Sequence, residues 1–454
     1  MKVLITILLC KFLKFLGRFF GKGTSFPGKI ALKIDPHILK KIKMPKHILA
    51  VTGSNGKTST VELIAHILTD SGKKVIYNKE SNLTAGVATF ALSDCDLKGN
   101  MRSEILLLET DERYAKHTFG HFNPTHYAIT NLCRDQMPRN GHTEFVYKCV
   151  KDSIKNGMTL ILNADDPFVS SFGLNFEKIV YFGANLLPTT TPEFTSLFND
   201  AALCPHCKTH LNYDTYHYAG WGKYSCENCV LKKNEADYTA TYVNFDDDYV
   251  IIDTHAHSEK PESSDSNYKL PVTFPSIGYI YNVLTACALT NLIGIPMEKI
   301  VDSIKKFTPK TGRVVKFRLG THIGTLLISK HDNYGSYTQS IQTVLALAKK
   351  QICTVVIIVD KISRRYNQND ISWFWDADFE FLNHKQIKKI VLSGRYCNDL
   401  AVRFSVTSIS TDKIAIIPVI ADCISHLKTG AEGEIYVITC FSDKDKFLSK
   451  VKVI

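Results

Sequence analysis

The chain is predicted to be an α/β protein built on parallel sheets. Short apolar runs alternate along it with longer stretches of helical periodicity, and most of these runs end in polar residues. The first run, Ile48 to Val51, leads directly into a glycine-rich turn and a helix start. This alternation predicts doubly wound sheets, whose ligands bind where the parallel strands end.

The predicted strands form two series, which indicate two α/β domains in a chain of 454 residues. The first series comprises Ile48 to Val51, Lys74 to Asn78, Ile105 to Glu109, Tyr127 to Asn131, Leu160 to Asn163 and Ile179 to Phe182. The second comprises Thr325 to Ser329, Thr354 to Val359, Lys389 to Leu392, Ile414 to Val419 and Glu434 to Thr439. We therefore divide the chain into an N-terminal segment (1–45), a central domain (46–311) and a C-terminal domain (312–454). The acidic and polar stretch between the two series, at 246–248 and 258–267, predicts loops or hairpins.

The N-terminal segment carries nearly all of the net charge. The formal charge is +11, and residues 1–50 hold eleven Lys and Arg residues against one acid, Asp35. Nucleic-acid-binding proteins usually spread such charge over a recognition face. Because residues 51–454 are close to neutral, we predict no nucleic-acid partner.

The same segment predicts a basic amphipathic helix. Phe12, Phe15, Leu16 and Phe19 follow the spacing i, i+3, i+4, i+7, and the other side carries Lys11, Lys14, Arg18 and Lys22. Such a helix could lie on an anionic membrane surface, or it could pack its apolar stripe on the protein. No apolar run has the length of a membrane span and no signal-peptide cleavage site follows the first apolar run. We expect a cytoplasmic protein, either free or at the inner face of the membrane.

The turn after the first strand is predicted to hold the phosphates of ATP. It reads Gly53-Ser54-Asn55-Gly56-Lys57-Thr58. The glycines allow backbone N–H groups to point inward, Lys57 supplies a positive charge for the β- and γ-phosphates, and the Thr58 hydroxyl can ligate Mg²⁺. All six residues are candidates for nucleotide binding, and Lys57 is also a candidate catalytic residue. A turn that only caps a strand–helix unit would not need the Lys-Thr pair.

Carboxylates follow the third predicted strand at the same sheet edge. Glu109 can complete the Mg²⁺ shell begun by Thr58, so we predict it as a magnesium ligand and a catalytic residue. Asp111 and Glu112 could instead cap the next helix. The runs Thr130-Asn131 and Asn163 to Pro167 end the neighbouring strands. Their side chains could reach the nucleotide or substrate, or could form strand-end turns.

Four cysteines predict a structural zinc ribbon, inserted at about 202–232. Cys204 and Cys207 form one CxxC pair, Cys226 and Cys229 form a second, and eighteen residues separate the pairs. Four thiolates make a closed tetrahedral site with no position for substrate. Redox pairing, or His206 in place of one cysteine, is the alternative.

The turn Thr-Gly-Ser-Asn-Gly-Lys-Thr resembles the phosphate loop of the Mur ligase and folylpolyglutamate synthetase superfamily, whose members activate a carboxylate as an acyl phosphate. Motifs in the order of the Mur ligase central domain extend the likeness. They are Ser81 to Gly86, Thr130-Asn131, Leu162 to Pro167, Tyr281-Asn282 and Thr311-Gly312-Arg313. The resemblance implies that Asn282 approaches the adenine and that Arg313 approaches the nucleotide at the domain junction.

Within that superfamily the chain is similar to the MurT family. The likeness rests on the four-cysteine ribbon, the basic N-terminus and motifs at Asn131 to Gln136, Asp370 to Glu380 and Ser393-Gly394-Arg395. It implies phosphorylation of the D-glutamate α-carboxylate in the lipid II stem peptide, followed by amidation to D-isoglutamine. It also implies a GatD-type glutaminase subunit as the source of ammonia, since the chain has no Gly-x-Cys-x-Gly nucleophile elbow of its own. In the family a C-terminal aspartate is thought to complete the partner's Cys–His pair, and Asp370 is the matching position, with Asp376 as the alternative.

An amino-acid-adding ligase of the Mur or folylpolyglutamate type is the competing interpretation, because it uses the same loop and acyl phosphate. The zinc ribbon argues against it. A departure from the family lies at Lys330 to Gly335, where an Asn-Pro-Ala-Gly-like turn is more usual. No position in the sequence matches the carbamylated lysine of several amino-acid-adding Mur ligases.

Overall fold

The structure of the chain is a computed structural model. It describes residues 1–19, 23–78, 81–254, 267–309, 313–348, 351–362 and 370–454, without the side chains of residues 18, 19, 138 and 139. Lys22, Thr311 and Gly312 of the predicted motifs, and most of the stretch 258–267, therefore lie outside the described residues.

The central domain is built on a nine-stranded sheet in the order β11-β10-β9-β6-β5-β4-β1-β3-β2. In this order the seven strands β9, β6, β5, β4, β1, β3 and β2 pair in parallel with their neighbours. Strands β10 and β11 pair antiparallel at one edge. The separate hairpin β7–β8 belongs to the cysteine-rich insert. The strands are β1 (His47–Thr52), β2 (Val75–Tyr77), β3 (Ile105–Glu109), β4 (His126–Ile129), β5 (Thr159–Asn163), β6 (Ile179–Ala184), β7 (Asn212–Tyr218), β8 (Trp221–Ser225), β9 (Tyr238–Asn244), β10 (Tyr249–Thr254) and β11 (Asn267–Pro271).

Helices cover both faces of this sheet. Successive side chains of β1 point to opposite faces, so that Leu49 and Val51 enter one apolar core and Ile48 and Ala50 the other. This is why the strand is apolar along its length. The helices are α1 (Lys2–Phe19), α2 (Phe26–Ile34), α3 (Ile38–Lys41), α4 (Lys57–Asp70), α5 (Thr84–Asp94), α6 (Ala115–Thr118), α7 (Met137–Asn140), α8 (Thr143–Lys151), α9 (Pro167–Ser170), α10 (Ile277–Leu292) and α11 (Met297–Lys305).

The C-terminal domain is Rossmann-like. Its seven-stranded sheet has the order β16-β15-β14-β17-β13-β12-β18, with five parallel strands and antiparallel β12 and β18. Its strands are β12 (Val314–Leu319), β13 (His322–Ser329), β14 (Cys353–Ile358), β15 (Ile387–Ser393), β16 (Ile414–Ile417), β17 (Glu434–Cys440) and β18 (Lys452–Val453). Its helices are α12 (Tyr334–Leu347), α13 (Trp373–Asp376), α14 (Cys397–Ser405), α15 (Ile420–Gly430) and α16 (Lys444–Leu448).

Every strand predicted from the sequence is a strand in the structure, and the α/β fold class is confirmed. The strands β7 to β12 and β18 were not predicted individually. In β11 and β12 only some of the side chains are buried. Their sequences therefore lack the continuous apolar runs that mark the central strands.

The N-terminal helix packs on the protein through a face other than the predicted apolar stripe. Ile7 and Cys10 of α1 are buried in a cluster with residues of α2 and α5. Phe12 and Leu16, which we grouped in the apolar stripe, are 57% and 38% exposed. The expectation that this stripe packs on the protein is therefore wrong, because a different face of α1 does so. No helix within the described ranges is long and apolar enough to cross a membrane.

Truncating a buried side chain of the central sheet should lower the stability of the protein. Leu107 in β3 is fully buried, whereas Leu97 is 59% exposed. We expect Leu107→Ala to lower the free energy of unfolding by about 2–5 kcal/mol through lost burial and an unfilled cavity. The same truncation at Leu97 should change it by less than about 0.5 kcal/mol. Urea denaturation followed by circular dichroism measures both, and equal midpoints for the two variants would contradict the assigned core.

Candidate active site

The predicted phosphate loop connects β1 to α4 and has a conformation that requires its two glycines. Gly53 has φ +135° and Gly56 has φ +85°, which places both in the region that favours glycine. A Cβ at Gly53 would lie 2.2 Å from Oγ1 of Thr130, and one at Gly56 would lie 2.3 Å from Oδ1 of Asn282. Gly56 precedes the first turn of α4, so the loop leads into a helix N-terminus, where backbone N–H groups can bind anions.

The end of β4 holds this loop in shape. The Asn131 side chain accepts a hydrogen bond from the Asn55 N–H at 2.9 Å and donates one to the Asn55 carbonyl at 3.0 Å. Thr130 Oγ1 donates to the same carbonyl at 2.9 Å, and the Ser54 N–H donates to the Asn131 carbonyl at 2.9 Å. Thr130 and Asn131 thus act on the loop backbone, and Asn131 also lines the cavity described below.

Lys57, at the start of α4, turns back over the loop. Its ammonium group donates to the Gly53 carbonyl and forms an ion pair with Glu112. Burial alone would lower the pKa of Lys57, but the nearby carboxylates of Glu112, Asp135 and Glu109 outweigh it and the pKa is raised. Lys57 therefore stays a cation. Sequence reasoning did not give Glu112 this role; its position three residues after Glu109 at the same strand end was the available signal.

Glu109 and Thr58, the predicted magnesium ligands, lie together. Glu109 is in hydrogen-bonding range of the Thr58 hydroxyl, and burial raises the pKa of Glu109 against the opposing influence of Lys57. Asn78 fixes the backbone of Glu109 with two hydrogen bonds, both of 2.8 Å. A carboxylate and a hydroxyl beside a phosphate loop form an oxygen donor set that suits Mg²⁺. The residues present thus fit the ion that the sequence predicts.

A cavity of about 330 Å³ opens next to the loop, between the two domains. This volume is within the range of small-molecule sites. Asn282 of α10 lines it and accepts a hydrogen bond from Thr60 at 3.0 Å. Aromatic residues of the central domain and its insert form the walls: Trp221, Phe274, Tyr279, Tyr281 and Phe307.

Arg313 lines the same cavity from the start of the C-terminal domain. Burial lowers the pKa of its guanidinium, opposed by Glu109 and Glu62 of the central domain. Within the part of the chain that the structure describes, its Nε atom is buried without a hydrogen-bond partner. A buried donor without a partner costs about 1–3 kcal/mol, and a hydrogen-bond acceptor bound in the cavity would remove this cost.

Lys330, at the point of departure from the family pattern, joins the C-terminal domain to the loop. It pairs with buried Asp135 and donates to the Ser54 carbonyl at 3.1 Å. Asn333 also donates to Asp135, at 2.8 Å. Sequence reasoning missed this role, although a lysine directly after a buried strand was a usable signal.

Arg134 forms a second bridge between the domains. It pairs with Asp200 at 2.8 Å and with Asp376 of α13 at 3.2 Å, and its guanidinium lies 3.3 Å from the centre of the Phe198 ring. Tyr334 donates to Asp200 at 2.6 Å. Asp376 is thus engaged within the chain. Asp370 accepts a hydrogen bond from the Ser372 N–H at 2.9 Å and is partly exposed.

Asp165 and Asp166, after β5, stabilise the protein rather than face the cavity. Asp165 pairs with Lys233 at 2.6 Å and accepts a hydrogen bond from the Tyr281 hydroxyl at 2.7 Å. Asp166 accepts from the backbone N–H groups of Leu132 and Phe168 at 2.8 and 3.0 Å. The sequence allowed these side chains either to reach the ligand or to form a turn at the strand end. In the structure Asp165 and Asp166 stabilise the turn.

The four cysteines of the insert converge. Their sulfur atoms all lie within 4.8 Å of one another, with 3.6 Å between Cys204 and Cys229 and 3.4 Å between Cys207 and Cys226. His206 is exposed and does not belong to the cluster. An all-thiolate set of this kind suits a structural Zn²⁺.

The insert is packed into the central domain. The ring of Trp221 lies 4.9 Å from that of Tyr281 on α10, and Tyr224 donates to the Ala164 carbonyl at 3.1 Å. Tyr218 reaches the C-terminal domain, where it donates to the Gly335 carbonyl at 3.1 Å. A metal in the insert would therefore support one wall of the cavity.

Comparisons with known proteins agree with this architecture. The Mur ligase middle domain matches residues 51–188 and the MurT ligase C-terminal domain matches residues 332–443. A pseudomurein peptide ligase type C from Methanothermus fervidus superimposes with a TM-score of 0.67 at 20% identity, over 90% of this chain and 79% of that chain. MurF ligase from Thermotoga maritima, solved in complex with ADP, gives a TM-score of 0.58 at 14% identity, over 91% and 80% of the two chains.

The Mur ligase middle domain and the relatives described next identify an ATP-dependent ligase of the Mur ligase type. Two relatives narrow the assignment, both named lipid II isoglutaminyl synthase (glutamine-hydrolyzing) subunit MurT. The one from Streptococcus pneumoniae is 30% identical over 399 residues, which cover 87% of this chain and 84% of the relative. The one from Staphylococcus aureus strain COL is 29% identical over 406 residues, which cover 88% and 87%. The chain belongs to the MurT family.

Replacing Lys57 should abolish ATP turnover. We expect Lys57→Ala to lower ATP hydrolysis by at least about 100-fold, because the loop loses the cation that offsets the phosphate charge. Lys73→Ala is the matched control, since Lys73 is 42% exposed on the surface and should turn over ATP at the parental rate. Full turnover by Lys57→Ala in a phosphate-release assay would rule out the assigned role.

Zinc removal should loosen the insert. We expect about one zinc ion per chain by elemental analysis. Cys226→Ser should lose it and lower the melting temperature by at least about 4 °C. Cys149→Ser, which replaces a buried cysteine outside the cluster, should keep the metal. A zinc-free protein that kept its melting temperature but lost only the chemical step would contradict a structural role.

Proposed function

We propose that the chain is the synthetase subunit of a lipid II isoglutaminyl synthase. It would convert the α-carboxylate of D-glutamate in the lipid II stem peptide to the amide, giving D-isoglutamine. The observation that carries this proposal is the similarity to relatives named MurT over 87–88% of the chain. The phosphate loop, the interdomain cavity and the absence of a glutaminase nucleophile motif in the sequence support it.

The reaction has two displacements. A carboxylate oxygen of the glutamate attacks the terminal phosphorus of ATP, the bond to the bridging oxygen breaks and ADP leaves. The nitrogen of ammonia then attacks the carbonyl carbon of the acyl phosphate, inorganic phosphate leaves and the nitrogen loses a proton. The first step is needed because a carboxylate is a poor acyl donor until one oxygen departs as phosphate.

Different residues of the site would bind the phosphates, the adenine and the magnesium ion. The backbone of residues 53–58 and the ammonium group of Lys57 would bind the phosphates, with Lys57 exchanging its contact with Glu112 for a phosphate oxygen. Arg313 would approach the same phosphates from the other domain, and Asn282 would approach the adenine in the cavity. Glu109 and Thr58 would hold Mg²⁺, which offsets the charge that develops on the transferred phosphoryl group.

Ammonia would come from a GatD-type glutaminase bound to the C-terminal domain. The partly exposed carboxylate of Asp370 is the group we assign to the partner's Cys–His pair. Asp376 is the weaker candidate, because Arg134 already holds it within the chain. An aspartate in such a triad orients the histidine and stabilises its protonated form.

Mass spectrometry of lipid II tests the proposed reaction. The chain is incubated with lipid II, ATP, Mg²⁺ and ammonium, and in parallel with glutamine and the glutaminase. Replacement of OH by NH₂, mapped to the D-glutamate, is the expected result. ATP consumption without this change, or addition of an amino acid, would overturn the amidation and favour the amino-acid-adding ligase.

Replacing Asp370 should impair amidation driven by glutamine but not amidation driven by free ammonium. We expect Asp370→Asn to reduce glutamine-driven amidation by at least about 100-fold and to leave ammonium-driven amidation within about twofold of the parent. Asp422→Asn, on the exposed surface of α15, is the control and should change neither. If Asp376→Asn gave the selective loss in place of Asp370→Asn, the role would belong to Asp376. A parallel loss of both reactions in Asp370→Asn would contradict an action through the partner.

A further inference from the structure

Helix α1 presents a continuous apolar face to the outside. Five large side chains lie on this face, which we call the α1 outer face, and they are 37–57% exposed. At 100° per residue they fall within about one third of the helix circumference. Phe15, which is 57% exposed, lies on the same third. The five residues are Leu4, Ile5, Leu8, Phe12 and Leu16.

The opposite side anchors the helix on the central domain. Thr6, Ile7 and Cys10 are at most 1% exposed. Lys11 donates to the Cys95 carbonyl at 2.5 Å, and the ammonium group of Lys14 lies 4.5 Å from the centre of the Phe90 ring. The lysines that we expected on the polar side thus help to attach α1. The helix is fixed by one face while its apolar outer face remains in solvent.

The surface around α1 is strongly cationic. The single acid of residues 1–50, Asp35, is 1% exposed and pairs with Lys41 at 2.6 Å. Further lysines on α2 and in the segment up to β1 are exposed: Lys29, Lys33, Lys40, Lys43 and Lys46. Helices α2 and α3, which carry Lys29, Lys33 and Lys40, pack against α1. An exposed apolar helix face on so cationic a segment matches an anionic bilayer, whose headgroups attract the cations while its acyl boundary accepts the apolar side chains.

We propose that the α1 outer face binds the surface of an anionic lipid bilayer. The helix would lie in the plane of the interface, with Leu8 and Phe12 at the acyl boundary and the lysines of α2 at the headgroups. The proposal draws on the proposed function, because lipid II is a membrane-linked substrate and this contact would hold the enzyme where the substrate is. The binding itself needs neither substrate nor ATP.

Vesicle flotation tests the contact with the full-length chain. We expect binding to vesicles of phosphatidylglycerol and phosphatidylcholine and at least about tenfold weaker binding to pure phosphatidylcholine. Raising the salt concentration should weaken the binding, because the headgroup attraction is screened. Equal binding to both vesicles, or no binding to either, would overturn the proposal.

Matched double variants assign the binding to α1. Leu8→Gln with Phe12→Gln should reduce binding by at least about tenfold, since two exposed apolar side chains are removed while a good helix former replaces each. The control is Phe145→Gln with Val402→Gln, which changes two helical side chains that are 53% and 59% exposed elsewhere. Unchanged melting temperatures show that both proteins fold. Equal binding by the two variants would overturn the proposal.

Sedimentation velocity distinguishes membrane binding from dimerisation through α1, and the amidation assay distinguishes failure of the membrane contact from failure of the proposed function. A parent chain that dimerises through Leu8 and Phe12 and does not float with vesicles would show that a second copy covers this face. Loss of vesicle binding in the double variant with normal amidation of detergent-solubilised lipid II supports the membrane role. Vesicle binding by a chain that does not amidate lipid II would leave the membrane contact intact and reject the proposed function.

Discussion

The ion pair between Lys330 and Asp135 is the contact on which the geometry of the active site depends. Asp135 is buried, so its charge is tolerated only because Lys330 and Asn333 of the C-terminal domain and Asn140 of the central domain all donate to it. Lys330 also donates to the Ser54 carbonyl in the phosphate loop. Docking of the C-terminal domain and the shape of the loop are therefore coupled, and in this arrangement Arg313 lines the cavity. Removal of Lys330 would leave the buried carboxylate of Asp135 without its ion pair at the domain junction.

The cysteine-rich insert is part of the same assembly. Trp221 and Tyr218 lie in the main core of the central domain, and Tyr218 also donates to the backbone of the C-terminal domain. A short two-stranded hairpin has little stability of its own. A metal held by the four thiolates would keep the hairpin folded and thus keep the cavity wall in place. Such a metal would support nucleotide binding through the structure alone, without any contact between metal and substrate.

The charges around the loop are nearly balanced before a nucleotide binds. The cations Lys57, Lys330 and Arg313 lie beside the carboxylates of Glu112, Asp135 and Glu109. The phosphates of ATP would therefore add negative charge that these cations do not offset. Like charges at short range in a poorly solvated site repel strongly. A magnesium ion held by Glu109 and Thr58, as we propose, would reduce this repulsion, and Arg313 would approach the phosphates from across the junction. On that proposal the acids would bind the metal and, together with Lys57, form a preorganised set of charges.

The sequence by itself determined the strands β1 to β6 and β13 to β17, the phosphate loop and the cysteine cluster, because each depends on neighbouring residues: apolar runs, Gly53 and Gly56 around a turn, and two CxxC pairs. The pairings of Lys57 with Glu112, Lys330 with Asp135 and Arg134 with Asp376 came only from the tertiary structure, since they join residues 55 to 242 positions apart. The face of α1 that packs was also decided there. The helix is apolar around most of its circumference, so its periodicity could not identify the buried side, and the surface offered by α2 and α5 selected Ile7 and Cys10. The local sequence pattern determines whether a segment forms a helix, a strand or a turn. The elements that pack against it determine which of its side chains are buried, form ion pairs or remain available for a ligand.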